Sequence, residues 1–168
     1  IAIILSGTGS DGTRGVRAIK EMGGMVMVQN EESAKFDGMP KAAAATGVAD
    51  FILPPEAMPD QLLAFVAHPY VSGEKHADLL LREPDSLTKL FAILRETTKV
   101  DFTFYKPSTI TRRIERRMSV NQIGDFEEYV SYVQNYPAEV TTLYRDLLIG
   151  VTSFFRDPEA MTELEERW

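Results

Sequence analysis

The first part of the chain alternates short apolar runs with segments of helical periodicity. Residues 1–5 are all apolar, as expected of a strand buried on both faces of a parallel sheet, and a glycine-rich loop follows at residues 6–12. Apolar positions then recur at helical spacing until Gly23 and Gly24, and residues 25–28 form a second apolar run. Strand, helix and strand in this order predict a right-handed βαβ unit.

Shorter elements follow. Residues 30–38 are polar and predict a loop, and Pro40 is well placed in the first turn of a short helix that ends near residue 45. Residues 51–53 predict a third strand, and Pro59 begins a predicted helix through about residue 66. This order of elements is typical of an α/β domain with a parallel sheet.

The pattern changes after residues 68–84, whose two prolines, Gly73 and mixed charge predict a linker with a helical middle at 74–81. From residue 87, apolar side chains at i, i+3, i+4 and i+7 predict a helix that Asp85 or Ser86 could cap. Three more helices complete a four-helix module. The first is capped by Ser108 or Thr109 and ends near residue 119, the second is capped by Asp125 and ends near residue 135, and the third runs from Pro137 to about residue 149.

Composition narrows the class of protein. The chain has 168 residues, no cysteine and a net charge of -7. The lack of cysteine removes disulfides, thiolate metal sites and a cysteine nucleophile, and it fits a reducing compartment, so we expect a cytoplasmic protein without a metal. The acidic balance argues against nucleic acid as a partner. No apolar run approaches the roughly 18 residues that span a bilayer, and the start is an apolar strand without a methionine, which suggests a fragment and no signal peptide.

The glycine loop carries the first candidate chemistry. Gly7, Gly9 and Gly12 fit the G-x-G-x-x-G pattern of dinucleotide sites, with Glu31 about 20 residues further on. Asp11 argues against that interpretation, because its charge would repel a pyrophosphate at the helix N-terminus. Asp11 could instead cap the helix, or orient a histidine as the third member of a Ser-His-Asp triad. The residues alone leave all three interpretations open.

A complete triad cannot be assembled from the chain. Ser6 and Ser10 lie near Asp11, but neither stands in a G-x-S-x-G elbow. The two histidines, His68 and His76, both fall in the predicted linker, where solvated polar residues are common.

Three sequence blocks in the α/β part resemble a known family. Residues 5–12 (LSGTGSDG), 29–34 (QNEESA) and 38–43 (GMPKAA) are similar, in this order, to the C-terminal end of the chemotaxis protein-glutamate methylesterase domain (CheB). In that family the aspartate of the glycine loop completes a triad that hydrolyses glutamate methyl esters of chemoreceptors. The resemblance therefore implies this role for Asp11, with the serine and the histidine upstream of residue 1.

A helix in the second part is strongly basic. Its arginines form two i, i+4 rows beside the apolar stripe of Ile110, Ile114 and Met118. Such rows are typical of a solvated face. They could also bind a nucleic acid, or an acidic partner, since guanidinium groups pair with carboxylates. The arginines are Arg112, Arg113, Arg116 and Arg117.

The second part resembles another family of the same system. Residues 112–117 (RRIERR), 126–129 (FEEY) and 152–157 (TSFFRD) are similar to the N-terminal helical domain of the chemotaxis receptor glutamate methyltransferase (CheR). The resemblance implies that the four arginines face receptor helices that carry methylatable glutamates. It also implies that Thr152 and Arg156 contact S-adenosylmethionine, and that the catalytic domain starts at residue 151 and continues beyond Trp168.

Taken together, the two resemblances indicate a fused methylesterase and methyltransferase. The expected fold is α/β plus all-α, the C-terminal part of a doubly wound, Rossmann-like parallel sheet followed by a small helical bundle. We expect the isolated chain to catalyse neither reaction and to bind chemoreceptor or sensor-kinase helices. A non-catalytic docking module and a dinucleotide-binding domain stay as alternatives. The expected domains are methylesterase at 1–67, linker at 68–84, helical domain at 85–150 and the start of the methyltransferase domain at 151–168.

Overall fold

The computed structural model describes residues 1–68 and 83–149. We call residues 1–68 the α/β half and residues 83–149 the helical half. The described residues have the predicted α/β plus all-α organisation, with a parallel sheet in the first half and packed helices in the second. Most of the predicted linker, including its helical middle at 74–81, lies outside the described residues.

The α/β half is built on three parallel strands in the order β1-β2-β3. Strand β1 is Ala2–Ile4, β2 is Val26–Gln29 and β3 is Phe51–Leu53. Ile3 pairs with Met27, which pairs in turn with Phe51 on the other side. Helix α1, Thr13–Glu21, connects β1 to β2 and packs on both strands, as the βαβ prediction required.

Helices cover both faces of this sheet, which is the doubly wound arrangement. Helix α1 and helix α2, Gly38–Ala44, lie on one face, over a cluster that includes Val26 and Val28. Helix α3, Met58–Ala67, lies on the other face with Met25 and Met27. Strand β2 is therefore buried along its whole length.

The first strand is less buried than its sequence predicts. Its apolar run favours burial on both faces, but Ile3 remains 42% exposed, and Ile1 and Leu5 beside it are also exposed. The physical reason is its position, because β1 is one of the two edge strands of the described sheet and pairs with β2 alone. An edge of this kind presents apolar side chains and unpaired backbone groups.

The helical half packs four helices around a single apolar core. They are α4 (Pro84–Thr98), α5 (Pro107–Val120), α6 (Phe126–Asn135) and α7 (Pro137–Leu148). Helix α4 contacts α6 and α7, and α7 also contacts α5 and α6. Leu90, Leu94, Ile114, Tyr129 and Leu143 are completely buried in the core. This confirms the predicted four-helix module.

The predicted cap of α6 is correct, whereas the predicted caps of α4 and α5 are not. Asp125 caps α6, since its side chain accepts a hydrogen bond from the backbone N–H of Glu128 at 2.9 Å. The predicted caps Asp85 or Ser86 and Ser108 or Thr109 are wrong, because α4 and α5 begin earlier, at prolines, and these residues lie inside the first turn. Helix α2 has Pro40 in its first turn, as predicted, and the predicted loop at 30–38 contains the 3-10 turn Glu31–Ser33.

The two halves pack against each other. Val120 of α5 joins Met25, Met27, Met58 and Phe65 of the α/β half in one buried cluster. Within residues 1–68 and 83–149, no helix combines the length and apolar character needed to cross a bilayer.

Candidate functional site

The glycine loop leaves the carboxyl end of β1 and returns into α1. Gly9 and Gly12 have φ angles of 86° and 90°, in the left-handed region that only glycine adopts without strain. Asp11 lies between them and is exposed. The loop therefore holds one carboxylate at the carboxyl ends of the parallel strands, which is where ligand sites of open α/β folds are found.

The other two blocks of the methylesterase resemblance pack directly against this loop. Gln29, the last residue of β2, accepts a hydrogen bond on Oε1 from the backbone N–H of Ser6 at 2.7 Å. The N–H of Gly7 donates to the Phe36 carbonyl, and the N–H of Met39 donates to the Gly7 carbonyl, both at 2.9 Å. The glycine loop, the end of β2 and the start of α2 thus meet in one hydrogen-bonded corner next to the segment that carries Asp11.

The structure distinguishes between the interpretations of Asp11. The N-cap residue of α1 is Gly12, and no side chain makes a capping hydrogen bond there, so the helix-cap interpretation is wrong. The dinucleotide interpretation is disfavoured as well, because Gly38 covers the loop so closely that an added Cβ would lie 2.9 Å from the backbone nitrogen of Gly9. Glu31 forms a surface ion pair with Lys41 at 3.3 Å. The triad role of Asp11 stays a prediction.

Within the described part of the chain, no histidine lies beside Asp11. The Nε2 of His68 lies 3.2 Å from the carbonyl oxygen of Ile123, in the contact between the halves. His76 lies outside the described residues, as do the predicted cofactor residues Thr152 and Arg156 and the predicted domain start at 151–168.

The arginine rows of α5 lie in the contact between the two halves. Arg112 is exposed, whereas Arg113, Arg116 and Arg117 are at most 5% exposed. The expected positive surface is therefore reduced to one arginine of the four, because the other three are buried between the α/β half and the helical half. Binding of receptor helices by these arginines stays a prediction.

Two of these arginines bind the backbone carbonyl oxygens at the carboxyl end of α1. Arg113 donates to the carbonyl oxygens of the last two residues of α1, at 3.1 and 3.0 Å. Arg116 donates to the carbonyl oxygens of Gly23 at 3.2 Å and Gly24 at 2.8 Å. Carbonyls at this end of a helix lack partners within the helix and carry its negative dipole end, so they attract cations.

Asp50, just before β3, is the centre of an ion cluster. Its carboxylate is fully buried and lies 2.7 Å from Lys20 Nζ, 2.5 Å from Arg116 Nη2 and 3.4 Å from Arg117 Nη1. The backbone N–H of Val26 also donates to it, at 2.9 Å. One carboxylate of the α/β half thus contacts two arginines of the helical half.

The helical half supplies the other carboxylates of the cluster. Asp146 lies 2.7 Å from Arg116 Nη1 and 3.2 Å from Lys20 Nζ, so it too connects the halves. Glu139 accepts hydrogen bonds from Nε and Nη2 of Arg117, at 2.8 and 2.6 Å. The cluster balances three cations against three carboxylates: Lys20, Arg116 and Arg117 against Asp50, Asp146 and Glu139.

Burial and charge act in opposite directions on the pKa values of this cluster. Burial alone would raise the pKa of the Asp50 carboxyl, but the charges of Arg116 and Lys20 outweigh it and hold that pKa below its ordinary value. Burial lowers the pKa of Lys20, and Asp50 offsets this only in part. Burial also raises the pKa of Tyr129, whose hydroxyl donates to Glu139 at 2.8 Å.

Sequence reasoning missed the acidic partners of the arginines. Asp50 stands alone before a short strand, and Glu139 and Asp146 read as solvated positions of an amphipathic helix. Nothing in their spacing shows that they meet Arg116 and Arg117. The one available signal was the arginine pattern itself, since several arginines in an acidic chain require counter-charges when they are buried.

The comparisons with known proteins agree with the two resemblances. Residues 1–62 match the family model described as CheB methylesterase, and residues 85–148 match the one described as CheR methyltransferase, all-alpha domain. The order of the two matches fits a CheB-CheR fusion.

Relatives cover the junction as well as the single parts. An uncharacterized 104.1 kDa protein in the hypE 3' region of Rhodobacter capsulatus is 38% identical over 188 residues, which cover 99% of this chain and 20% of that protein. The protein-glutamate methylesterase/protein-glutamine glutaminase of Moorella thermoacetica is 47% identical over 66 residues, which cover 39% of this chain and 16% of that protein. The chain thus spans at most a fifth of the length of these relatives.

One solved structure is also similar. The crystal structure of the Thermotoga maritima CheB methylesterase catalytic domain is 40% identical and covers 36% of this chain and 32% of its own, with a TM-score of 0.35, which is too low for an argument about the fold.

Proposed function

Because the chain joins a segment of the CheB methylesterase family to the all-alpha domain of the CheR methyltransferase family, we propose that it is the junction of a bifunctional enzyme of chemotaxis adaptation. This enzyme hydrolyses glutamyl methyl esters of chemoreceptors and methylates receptor glutamates. The Rhodobacter capsulatus relative supports a fusion, because one protein matches both parts of the chain. The proposed domains are methylesterase at 1–67, linker at 68–84, helical domain at 85–150 and the start of the methyltransferase domain at 151–168.

The position of Asp11 is the observation that carries the esterase part. Its carboxylate is exposed at the carboxyl edge of the parallel sheet, on a loop fixed by the segments around Gln29 and Gly38, and it is not used as a helix cap. In this role it accepts a hydrogen bond from a histidine Nδ1–H, which holds the imidazole in the tautomer that can deprotonate a serine and stabilises the imidazolium that forms. The serine and this histidine come from sequence before residue 1.

The helical half serves the methyltransferase part. Its arginines bind acidic receptor helices, and a receptor carboxylate then meets the methyl group of S-adenosylmethionine. A carboxylate is already a nucleophile at neutral pH, so transfer requires mainly proximity and alignment. Thr152 and Arg156 are the proposed cofactor contacts, and Arg156 suits the cofactor's carboxylate because of its planar guanidinium. The chain lacks cysteine, which fits a cytoplasmic location.

Substitution of Asp11 tests the esterase proposal. In the natural protein that carries residues 1–168, Asp11→Asn should lower kcat for hydrolysis of a glutamyl methyl ester by about 10⁴-fold, as loss of the aspartate does in serine triads. KM and thermal stability should change little, because the side chain is exposed. The pH profile of kcat/KM should shift to lower pH, since the histidine loses the partner that favours its charged form.

Asp37→Asn is the matched control. Asp37 is also an exposed aspartate of the α/β half, but its carboxylate pairs with Lys41 at 2.6 Å. Wild-type kcat in the Asp37 variant together with a large loss in the Asp11 variant supports the proposal. Equal kcat in all three proteins would contradict it.

The isolated 168-residue chain should catalyse neither reaction. The ring of His68 faces a backbone carbonyl, and no serine stands in a nucleophile elbow. An ester-hydrolysis rate that depends on Asp11 in this chain would show that the triad is complete within residues 1–168 and would overturn this part of the proposal.

A further inference from the structure

The α/β half occupies the face of α5 that the proposed receptor helices would need. Arg113 and Arg116 donate hydrogen bonds to four backbone carbonyls at and just after the end of α1. Arg116 and Arg117 also contact the carboxylate of Asp50. The α/β half therefore offers these arginines what an acidic helix would offer, namely a carboxylate and a surface of oxygen acceptors.

The ion cluster is neutral when the halves are closed. The helical half alone contributes two arginines and two carboxylates to it, and the α/β half contributes Lys20 and Asp50, so each half brings a balanced set. Separation of the halves therefore leaves Arg116 paired with Asp146 and Arg117 paired with Glu139, and it removes the acceptors that the α/β half supplies to both arginines. It leaves Arg113 without its α1 acceptors, because the hydrogen bonds from Arg113 to Lys20 and Glu21 cross the contact, whereas the one to Ile149 does not.

The contact is suited to opening. Apart from the cluster around Val120, the interactions between the two halves among the described residues are polar, including a hydrogen bond from Gln122 to Gln61 at 3.0 Å and the contact of His68 with Ile123. Polar contacts between domains of one chain resemble those of transient complexes. Removal of one member of such a buried ion cluster leaves an uncompensated buried charge, so a substitution within the cluster should destabilise the closed contact.

We propose that the α/β half is an intramolecular occupant of the arginine face of α5, and that an acidic partner helix reaches Arg113, Arg116 and Arg117 only when this contact opens. The inference rests on the proposed function for the identity of the partner, but not for the existence of the closed contact. Arg112 stays accessible in both states, so it provides the first contact for an incoming acidic helix. Methyltransferase docking is thereby coupled to the position of the methylesterase part.

Two variants of the complete 168-residue chain open the contact from the α/β side, without change to α5. Asp50→Asn removes the carboxylate shared by Arg116 and Arg117. Asp50→Asn/Lys20→Met removes one negative and one positive charge together, so no buried charge is left unbalanced. The double variant answers the same question if circular dichroism shows that the single variant does not fold. Asp37→Asn, an exposed carboxylate on the same half, is the control.

Arginine accessibility is the first measurement. Phenylglyoxal modifies exposed guanidinium groups, and mass spectrometry locates the modified residues. Arg112 should react at the same rate in all proteins and serves as the internal standard. Arg113 should react about 10-fold more slowly than Arg112 in the wild type, as expected for a group exposed only by opening, and nearly as fast as Arg112 in the opened variants.

Binding of an acidic helix is the second measurement. The probe is a synthetic helical peptide of about 20 residues with glutamates at i, i+4 positions, and the matched probe has glutamine at the same positions. The opened variants should bind the glutamate peptide about 10-fold more tightly than the wild type and the Asp37 variant. In the opened variants the peptide does not have to displace the α/β half from α5 before it binds. The glutamine peptide should show no such difference.

The outcomes separate the inference from the proposed function. Faster modification of Arg113 together with tighter peptide binding supports both. Unchanged protection of Arg113 in a folded opened variant, or equal peptide affinity in all proteins, overturns the inference. Faster modification without binding of the glutamate peptide to any protein supports the closed contact and overturns the receptor-binding part of the proposed function.

Discussion

At the scale of single residues, Gly38 decides the geometry of the corner that holds Asp11. A Cβ at Gly38 would lie 2.9 Å from the nitrogen and 3.2 Å from the oxygen of Gly9, and both are backbone atoms that cannot swing aside. Gly15 in α1 is the opposite case, because a Cβ there would meet nothing within 4 Å. Two glycines 23 positions apart therefore give a matched pair of substitutions.

Gly38→Ala should lower the free energy of unfolding by about 1–3 kcal/mol, the usual cost of forcing extra atoms into a packed site. Gly15→Ala should raise it by about 0.5–1 kcal/mol, since alanine loses less conformational entropy than glycine in a helix. Urea titration followed by circular dichroism measures both values. A Gly38→Ala protein as stable as the Gly15→Ala protein would show that the loops do not meet at Gly38.

Asp11 and Asp50 show which site residues a sequence can reveal. Asp11 could be proposed as a site residue because it stands in a local motif, a glycine loop between a strand and a helix, and because neighbouring blocks resemble a family. Asp50 was missed because its partners Lys20, Arg116 and Arg117 lie 30, 66 and 67 positions away. Local patterns carry no information about pairs formed by the packing of two halves.

At the scale of helices and strands, proline and aspartate mark helix starts in different ways. Pro84 and Pro107 begin α4 and α5, because the fixed φ of proline suits the first helical position and its missing N–H needs no partner there. Asp125 precedes α6 as a true cap and accepts a hydrogen bond from the Glu128 N–H. Polar residues next to a proline therefore gave false caps, whereas Asp125 gave a correct one.

Asp125→Ala should lower the free energy of unfolding by about 1 kcal/mol through loss of this capping hydrogen bond. Asp85→Ala is the control, since Asp85 lies in the first turn of α4 and makes no capping hydrogen bond, so it loses at most the weak attraction of a carboxylate to the helix dipole. Thermal denaturation of the two variants under identical conditions measures the difference. Equal losses would contradict the different roles assigned to the two aspartates.

Helix α5 shows where helical periodicity misleads. The stripe of Ile110, Ile114 and Met118 faces the core of the helical half, as predicted. The neighbouring arginine face is buried too, because the α/β half covers it, and Arg116 has no exposed surface at all. A charged stripe on an amphipathic helix thus marked a domain contact, a distinction that the helix's own sequence does not contain.

At the scale of the whole molecule, the fold class and the order of elements followed from the sequence, but the relation of the two halves did not. Apolar runs and helical periodicity identified three strands and the helices around them, because these depend on neighbours a few residues away. The contact between the halves depends on Val120, Asp50 and the carbonyls after α1, which pair with distant residues. The same contact determines which of the predicted receptor-binding arginines are accessible.

The stability of the closed molecule should depend on pH through Asp50. The groups that face its carboxylate are Lys20 of α1 and Arg116 and Arg117 of α5, with Asp146 and Glu139 of α7 behind them. Because the folded state holds the pKa of Asp50 below its ordinary value, the ionised carboxylate stabilises the fold. That contribution is fully present above the unfolded pKa of about 3.9 and is lost as pH falls through the lower pKa of the folded state.

Below about pH 4, the wild-type free energy of unfolding should therefore fall by up to about 1.4 kcal/mol per pH unit more steeply than that of Asp50→Asn, which has no proton to take up at this position. Urea titrations from pH 5 to lower pH compare the two proteins. The Asp37→Asn curve should run nearly parallel to the wild type, although Lys41 lowers the pKa of Asp37, because an exposed ion pair contributes little to stability. Parallel curves for wild type and Asp50→Asn would show that Asp50 does not hold the two halves together as an ionised group.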